Sequence, residues 1–132
     1  MKYFTMKELT KSSTADKLGI DNTPTTEASV ALSNLVTHVL DPLREMYGKA
    51  ITVNSGYRCP KLNAAVGGAK NSQHMRGEAA DITGGNKEEN KKLFELIRDN
   101  LPFDQLINES NYSWVHVSYA STSKNRKQIL SL

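Results

Sequence analysis

Residues 55–81 constrain the fold of this chain more than any other segment does. The β-branched run before them, residues 51–53, predicts a strand. The segment itself is polar, contains many small residues and has the pair Gly67-Gly68 near its middle, which together predict a long loop. Because a loop of this length inside a compact domain usually has a function, we expect functional residues here.

A histidine and an aspartate, His74 and Asp81, lie seven residues apart at the end of this segment. On one unbroken strand they would point to opposite faces of a sheet. They can share a site only if the chain bends between them, and Gly77 is the residue at which it can bend without steric cost. His116, in the run 114–118, supplies a second imidazole. On spacing alone, a surface histidine beside an ordinary acidic loop explains these residues as well.

Two amphipathic helices are expected beside the strands. Apolar residues recur at three- and four-residue steps between about residues 26 and 47, where Pro42 must kink the helix or start a new one. His38 lies on this helix with no acidic or histidine partner four residues away, so we interpret it as a partly exposed histidine and not as a metal ligand. A second helix is predicted to begin after Asn86, which can cap it.

The C-terminal third predicts short strands. Residues 104–109 and 114–119 are expected to form an antiparallel hairpin with residues 110–113 as its loop, and residues 129–130 to add an edge strand. Two substantial helices with several short strands define an α+β domain.

Length and charge limit the class of protein. At 132 residues the chain is expected to form one domain, residues 1–132, on which residues 1–24 pack as an N-terminal lead. The net charge is only +3 and the basic residues are spread along the chain, whereas a nucleic-acid surface needs a concentrated patch. We therefore expect no nucleic-acid partner, and a monomer. The single cysteine, Cys59, excludes an intramolecular disulfide and a cysteine-rich zinc site.

Four segments occur in an order that resembles the zinc D-Ala-D-Ala carboxypeptidase family, peptidase family M15. They are Ser55-Gly56-Tyr57-Arg58, Asn63-x3-Gly67-Gly68, Ser72-x-His74-x2-Gly77-x-Ala79-x-Asp81 and Trp114-Val115-His116-Val117-Ser118. The resemblance covers about residues 25–120. The family includes cell-wall carboxypeptidases, D-Ala-D-Ala dipeptidases and phage endolysin peptidases, and shares its fold with the signalling domain of hedgehog proteins. The fold implied is a small antiparallel sheet with flanking helices.

This resemblance implies one Zn²⁺ per chain, bound by His74, Asp81 and His116. Three protein ligands leave the fourth tetrahedral position open, as in catalytic zinc sites. The activity implied is hydrolysis of peptide bonds in peptidoglycan stem peptides or cross-links. Arg58 takes the position of a cleft arginine that would stabilise the oxyanion or hold a substrate carboxylate, with a structural salt bridge as the alternative.

Four further residues are expected to bind substrate: Tyr57, Ser72, Gln73 and Trp114. For Ser72 and Gln73, a role in orienting the loop is an equal alternative.

The general base is a departure from the family pattern. Several branches carry an acidic residue three positions before the last histidine, but this chain has Ser113, which cannot act as a base. Glu109 is the best replacement. With residues 110–113 as the hairpin loop, it becomes a diagonal neighbour of His116 on the same face, about 7–8 Å away. Asp104 is the second candidate.

Two classes of function stay open on these grounds: a zinc peptidase, and a non-catalytic zinc-stabilised module that binds the cell wall or a protein. The first residues lack the apolar core of a secretory signal, and no run of 18 apolar residues predicts a membrane span. We therefore expect synthesis in the bacterial cytoplasm, with release to the cell wall through phage lysis or as part of a virion.

Overall fold

The computed structural model describes residues 1–132. Its five strands form one sheet, and they are β1 (Thr52–Ser55), β2 (Ala79–Thr83), β3 (Gln105–Glu109), β4 (Trp114–Ser118) and β5 (Gln128–Ser131). Their order across the sheet is β1-β2-β4-β3-β5. The predicted α+β class is confirmed, and the first four strands pair antiparallel as expected.

The sheet is nevertheless mixed, because β5 pairs parallel with β3. The reason is the path of the chain. Strand β4 runs antiparallel to β3, so it ends where β3 begins, and the carbonyl of Ser118 accepts a hydrogen bond from the backbone of Asp104. A short connection, residues 119–127, then carries the chain past the start of β3. From there, an edge strand can only run in the same direction as β3.

The chain also has six α-helices, and they are α1 (Met6–Thr10), α2 (Ser13–Leu18), α3 (Thr26–Leu35), α4 (Asp41–Tyr47), α5 (Pro60–Ala65) and α6 (Lys87–Asn100). A 3₁₀ turn, Gln73–Arg76, precedes β2. None of the helices combines the length with the apolar character that crossing a membrane requires.

Pro42 does not break the first long helix but widens it. A π-helical turn, Val36–Leu40, joins α3 to α4, and the backbone N–H of Asp41 donates to the carbonyl of Val36, five residues earlier. Proline has no N–H, and its ring would collide with the carbonyl four residues before it, here that of His38. The wider turn gives that ring room without ending the helix.

One face of the sheet packs against the helices and forms the core. Buried residues from α3, the π turn, α4 and α6 meet the inward-facing residues of the strands, among them Leu32, Leu35, Leu43, Leu93, Ile97, Ile82, Val115 and Val117. Phe4 and Leu9 belong to the same core, so the N-terminal lead packs on the domain.

The other face of the sheet is where polar side chains collect. Asp81 of β2 pairs with His116 of β4, which in turn pairs with Ile107 of β3. Glu109 pairs with Trp114, so the predicted register of the hairpin is confirmed. Because alternate residues of a strand share a face, these side chains line one side of the sheet together.

Candidate metal centre

Adjacent strands bring the first two candidate ligands together. Asp81 and His116 are direct partners in the β2–β4 pairing and lie on the same face. Oδ1 of Asp81 lies 2.9 Å from Nδ1 of His116. Both side chains are largely buried, with 16% and 12% of their surface exposed. The pair is therefore fixed by backbone hydrogen bonds on both sides and needs no loop to form it.

The third candidate ligand comes from the 3₁₀ turn. Nε2 of His74 lies 3.3 Å from Oδ2 of Asp81, and the imidazole is almost fully buried. The bend that makes this contact occurs at Gly77, whose φ of 73° is in the left-handed region. A Cβ at this position would also collide with the carbonyl oxygen of Ala28 on α3. The predicted bend at Gly77 is confirmed, although His74 precedes it on a 3₁₀ turn and not on a strand.

The surroundings of His74 determine which of its two ring nitrogens is unprotonated and presents a lone pair to Asp81. Nδ1 lies 2.7 Å from the carbonyl oxygen of Gly56, which can only accept a hydrogen bond. Nδ1 therefore carries the proton in the neutral ring, and Nε2 faces the Asp81 carboxylate unprotonated. Two lone pairs that face each other are stabilised by a cation between them. A metal-binding histidine usually donates the N–H of its other ring nitrogen to a carboxylate or a backbone carbonyl, which fixes the orientation of the ring.

These three residues fit Zn²⁺ on donor chemistry and on spacing. One ligand atom from each of His74, Asp81 and His116 lies within 4.8 Å of the others. Ligand bonds of about 2.0–2.1 Å in a tetrahedron put neighbouring ligand atoms about 3.3 Å apart. The distance between Nε2 of His74 and Oδ2 of Asp81 is also 3.3 Å. Burial would raise the pKa of the Asp81 carboxyl. Interactions with the imidazoles of His116 and His74 outweigh that effect and hold the pKa below its usual range. The carboxylate is thus charged, as a ligand must be.

The three candidate ligands lie in a cleft of about 570 Å³. Five of the other residues predicted from the sequence line the same cleft: Arg58, Ser72, Gln73, Glu109 and Trp114. The chain thus brings together, on one face of the sheet, almost the whole predicted set.

Arg58 enters the cleft without a carboxylate partner. It takes part in none of the ion pairs of the structure, so the structural salt bridge considered from the sequence is not observed. Its Nε is buried and has no hydrogen-bond partner. Burial lowers the pKa of the guanidinium, and the charge of Asp81 opposes that effect. A buried donor without a partner is costly, so a ligand that accepts from Arg58 would be favoured.

Tyr57 does not lie in this cleft. Its side chain is 5% exposed and belongs to the hydrophobic core, which does not match the predicted substrate contact. The backbone explains the position. The N–H of Tyr57 donates to the carbonyl of Leu9 on α1, and its carbonyl accepts from the Asn22 side chain. Asn22 also accepts a hydrogen bond from the N–H of Cys59. The N-terminal lead therefore holds the chain on both sides of Arg58, a role that sequence reasoning missed.

Asp104, the second candidate base, has its carboxylate fully engaged elsewhere. Nε and Nη2 of Arg126 lie 3.0 and 2.7 Å from its two oxygens, and Nε2 of Gln73 lies 3.1 Å from Oδ2. It is 3% exposed and does not line the cleft. Glu109 lines the cleft and is partly exposed. The geometry therefore favours Glu109 over Asp104 as the carboxylate that could reach a bound water.

A His-Asp-His set that lines an open cleft is typical of single-metal hydrolytic sites. Residues 2–118 match the Peptidase M15 family, and the chain belongs to this family. The predicted family is thus confirmed, and family and cluster together identify Zn²⁺ as the cofactor.

A curated relative is the zinc D-Ala-D-Ala carboxypeptidase of Streptomyces albus G. It is 49% identical to this chain over 49 residues, which are 36% of the chain. The matched part is 19% of the length of that protein.

Proposed function

We propose that this chain hydrolyses peptide bonds in peptidoglycan stem peptides or cross-links, as a D-Ala-D-Ala carboxypeptidase or an endopeptidase. The observation that carries the proposal is that His74, Asp81 and His116 meet in a cleft that also holds Arg58 and Glu109. The name of the relative, a zinc D-Ala-D-Ala carboxypeptidase, supports a substrate of this class.

His74, Asp81 and His116 are the proposed zinc ligands. When bound, zinc polarises a scissile carbonyl and lowers the pKa of water to about 7. The chain prepares for this in two ways: Gly56 fixes the orientation of His74, and the β2–β4 pairing fixes Asp81 against His116.

Glu109 is the proposed general base. It lies two residues along β3 from the partner of His116, on the face that lines the cleft. Its carboxylate would take a proton from the attacking water and return it to the leaving amine.

Arg58 is proposed to donate hydrogen bonds to the developing oxyanion or to a carboxylate at the end of the substrate. Its lack of a carboxylate partner in the protein supports this assignment.

Ser72 and Gln73 have structural contacts that favour positioning roles. Oγ of Ser72 accepts a hydrogen bond from the backbone N–H of His74 at 3.1 Å and so caps the 3₁₀ turn. Gln73 binds Asp104 through its amide. Trp114, on the rim of the cleft, offers an apolar surface to a substrate side chain.

Digestion of purified muropeptides with the zinc-loaded protein tests the proposal. Mass spectrometry of the products should show the loss of one D-alanine from stem peptides, or the division of a cross-linked dimer into monomers. The first product identifies a carboxypeptidase and the second an endopeptidase. If a folded, zinc-containing protein leaves all muropeptides intact but sediments with cell walls, the chain is the non-catalytic binding module and the proposal is wrong. The phage-linked release and the monomeric state expected from the sequence stay predictions.

A further inference from the structure

Two arginines that the proposed mechanism does not use also line the cleft. Arg76 and Arg126 border both the metal-site cleft and an adjoining cavity of about 410 Å³. Each side chain is about half exposed, at 53% and 56%. Together with Arg58 they place three guanidinium groups on the lining of the cleft, and two of these groups are paired with carboxylates, Arg76 with Glu78 and Arg126 with Asp104.

Each of these two guanidinium groups forms an ion pair with a buried carboxylate. Nε of Arg76 lies 3.0 Å from Oε1 of Glu78, and Arg126 donates hydrogen bonds to Asp104 through Nε and Nη2. Only 9% of the Glu78 side chain and 4% of the Asp104 side chain are exposed. The backbone N–H of Ser121 fixes the second oxygen of Glu78 at 2.9 Å. The carboxylates are thus fixed points, and the arginines extend from them toward solvent.

One side chain links the two carboxylates to the metal centre. Nε2 of Gln73 lies 3.1 Å from Asp104 and 3.4 Å from Glu78. Gln73 is the residue directly before His74, so both arginines are held in a fixed relation to the candidate metal ligand. A site built this way needs little reordering when a ligand binds, which lowers the entropic cost of binding.

The donors that remain unused on these arginines point to the kind of ligand. Neither Nη group of Arg76 makes a hydrogen bond within the protein, and neither does Nη1 of Arg126. A guanidinium with free N–H groups matches the geometry of a carboxylate, which it can bind through two parallel hydrogen bonds. Lys124 lines the adjoining cavity and adds a further positive charge.

We propose that Arg76 and Arg126 form an anion subsite that binds a branch carboxylate of the peptide substrate, separate from the carboxylate at its C-terminus. This inference rests on the proposed peptidase function and adds a substrate class to it: peptides with a free branch carboxylate, such as that of a γ-linked D-glutamate, over the same peptides with this group amidated.

Two peptides that differ only in that group provide the test. One is L-Ala-γ-D-Glu-L-Lys-D-Ala-D-Ala, and the other carries D-isoglutamine in the second position. With the zinc-loaded wild type, we expect KM to be about 10-fold higher for the amidated peptide, the effect of losing one charge-assisted hydrogen-bonded pair. The value of kcat should be similar for the two, because the subsite contacts the substrate equally in the ground state and the transition state.

Variants locate the effect. Arg76→Gln and Arg126→Lys should each reduce the discrimination between the peptides toward 1. The lysine variant keeps a cation beside the buried Asp104 while it loses the planar fork, so the fold is preserved. Arg98→Gln is the matched control, because Arg98 pairs with Asp99 through Nε and Nη2 on the exposed side of α6, outside the cleft. It should discriminate as the wild type does.

A binding experiment separates this inference from the proposed peptidase function. The Nε–Hε signals of Arg76 and Arg126 should shift in NMR spectra when the acid peptide is added, and much less with the amidated one. Shifts of this kind without any cleavage would support the subsite and overturn the peptidase. Equal cleavage of both peptides, or equal shifts, would overturn the subsite and leave the peptidase intact.

Discussion

Two largely buried aspartates, one on the sheet and one directly before a strand of it, illustrate how different partners give one residue type different roles. Asp81 lies on β2 between two imidazoles, whereas Asp104 lies directly before β3 against the guanidinium of Arg126. Burial would raise the pKa of Asp81, but the two histidines hold it below its usual range. The hydrogen bond from Arg126 also lowers the pKa of Asp104. Burial and a lowered pKa therefore do not distinguish the two.

The two aspartates differ in whether their protein partners satisfy the carboxylate without a bound ligand. Arginine is charged at every relevant pH, and Asp104 accepts hydrogen bonds from the backbone N–H, Nε and Nη2 of Arg126 and from Gln73. That ion pair is complete without a ligand. Nδ1 of His74 is committed to the Gly56 carbonyl, so Nε2 of the neutral ring faces Asp81 as a lone pair. We therefore propose the Asp81 cluster as the metal site and the Asp104 pair as a structural support.

The largest expected effect is the loss of zinc when the Asp81 cluster is opened. In His116→Ala one of the three proposed ligands disappears, and we expect zinc affinity to fall by more than the roughly 10–100-fold that follows the loss of a residue hydrogen-bonded to a ligand. Metal analysis of the purified protein after dialysis measures this.

His38→Ala is the control for the zinc measurement. His38 stacks on Tyr119 with ring centroids 4.7 Å apart and is not a member of the His74, Asp81 and His116 cluster, so this variant should keep one zinc per chain. Full zinc occupancy in His116→Ala would mean that the assigned metal site is wrong.

The second prediction compares the proposed catalytic carboxylate, Glu109, with the proposed structural carboxylate, Asp104. Glu109→Gln should keep zinc and stability while kcat falls roughly 10²–10⁴-fold, the usual contribution of general acid–base catalysis. Asp104→Asn should do the reverse, with kcat within a few fold of the wild type and reduced stability. Rates on a muropeptide and thermal unfolding of both variants give the answer. If Asp104→Asn loses activity while Glu109→Gln keeps it, the two assignments must be exchanged.

Local sequence patterns were sufficient for much of the fold. A capping box of Thr5 and Glu8 begins α1, and this motif depends only on residues three apart. The register of the β3–β4 hairpin follows from the four-residue loop between the strands. The pairing of β5 could not be derived in this way. Its direction depends on where β4 ends relative to β3, which is a property of the assembled sheet.

The residues of the candidate site divide in the same way, into those that local patterns predict and those whose positions depend on contacts distant in sequence. His74, Asp81 and His116 could be found because the motif and Gly77 mark them. The position of Tyr57 could not, since it depends on backbone contacts with Leu9 of the N-terminal lead, 48 residues earlier in the chain. Arg126 lies 22 residues from Asp104, and no local pattern predicts that contact.

Arg58→Lys is expected to have a smaller effect than Glu109→Gln, because lysine keeps the charge and loses only the fork. If Arg58 meets charge that develops in the transition state, kcat should fall about 10-fold while KM changes little. If it holds a terminal carboxylate in both states, KM should rise instead, and substrates with an amidated C-terminus should be poor for the wild type. Kinetics on one stem peptide and its C-terminal amide distinguish the two. Unchanged kinetics with a lower melting temperature would remove Arg58 from the active site.

The smallest effect concerns the pH dependence of the Asp104 pair. Since the pKa of Asp104 is lowered in the folded protein, the pair stabilises the fold above the pKa of about 3.9 that aspartate has in an unfolded chain. This contribution is lost as the pH falls from there through the lower folded pKa, because the unfolded chain then binds the proton first. At pH 7, the free energy of unfolding of Asp104→Asn should therefore be about 1–2 kcal/mol lower than that of the wild type.

The difference between the two proteins should shrink as the pH falls below about 4, and urea unfolding at a series of pH values measures it. The metal site is common to both proteins, so its own protonation does not enter the difference. Asp99→Asn is the matched control. The hydrogen bond from Arg98 lowers the pKa of Asp99 too, but this pair is exposed and screened by solvent. Removal of the Arg98–Asp99 pair should leave the urea unfolding curve unchanged at every pH. If both variants behave alike, burial does not strengthen the Asp104 pair, and its proposed role as a fixed support for Gln73 and Arg126 fails.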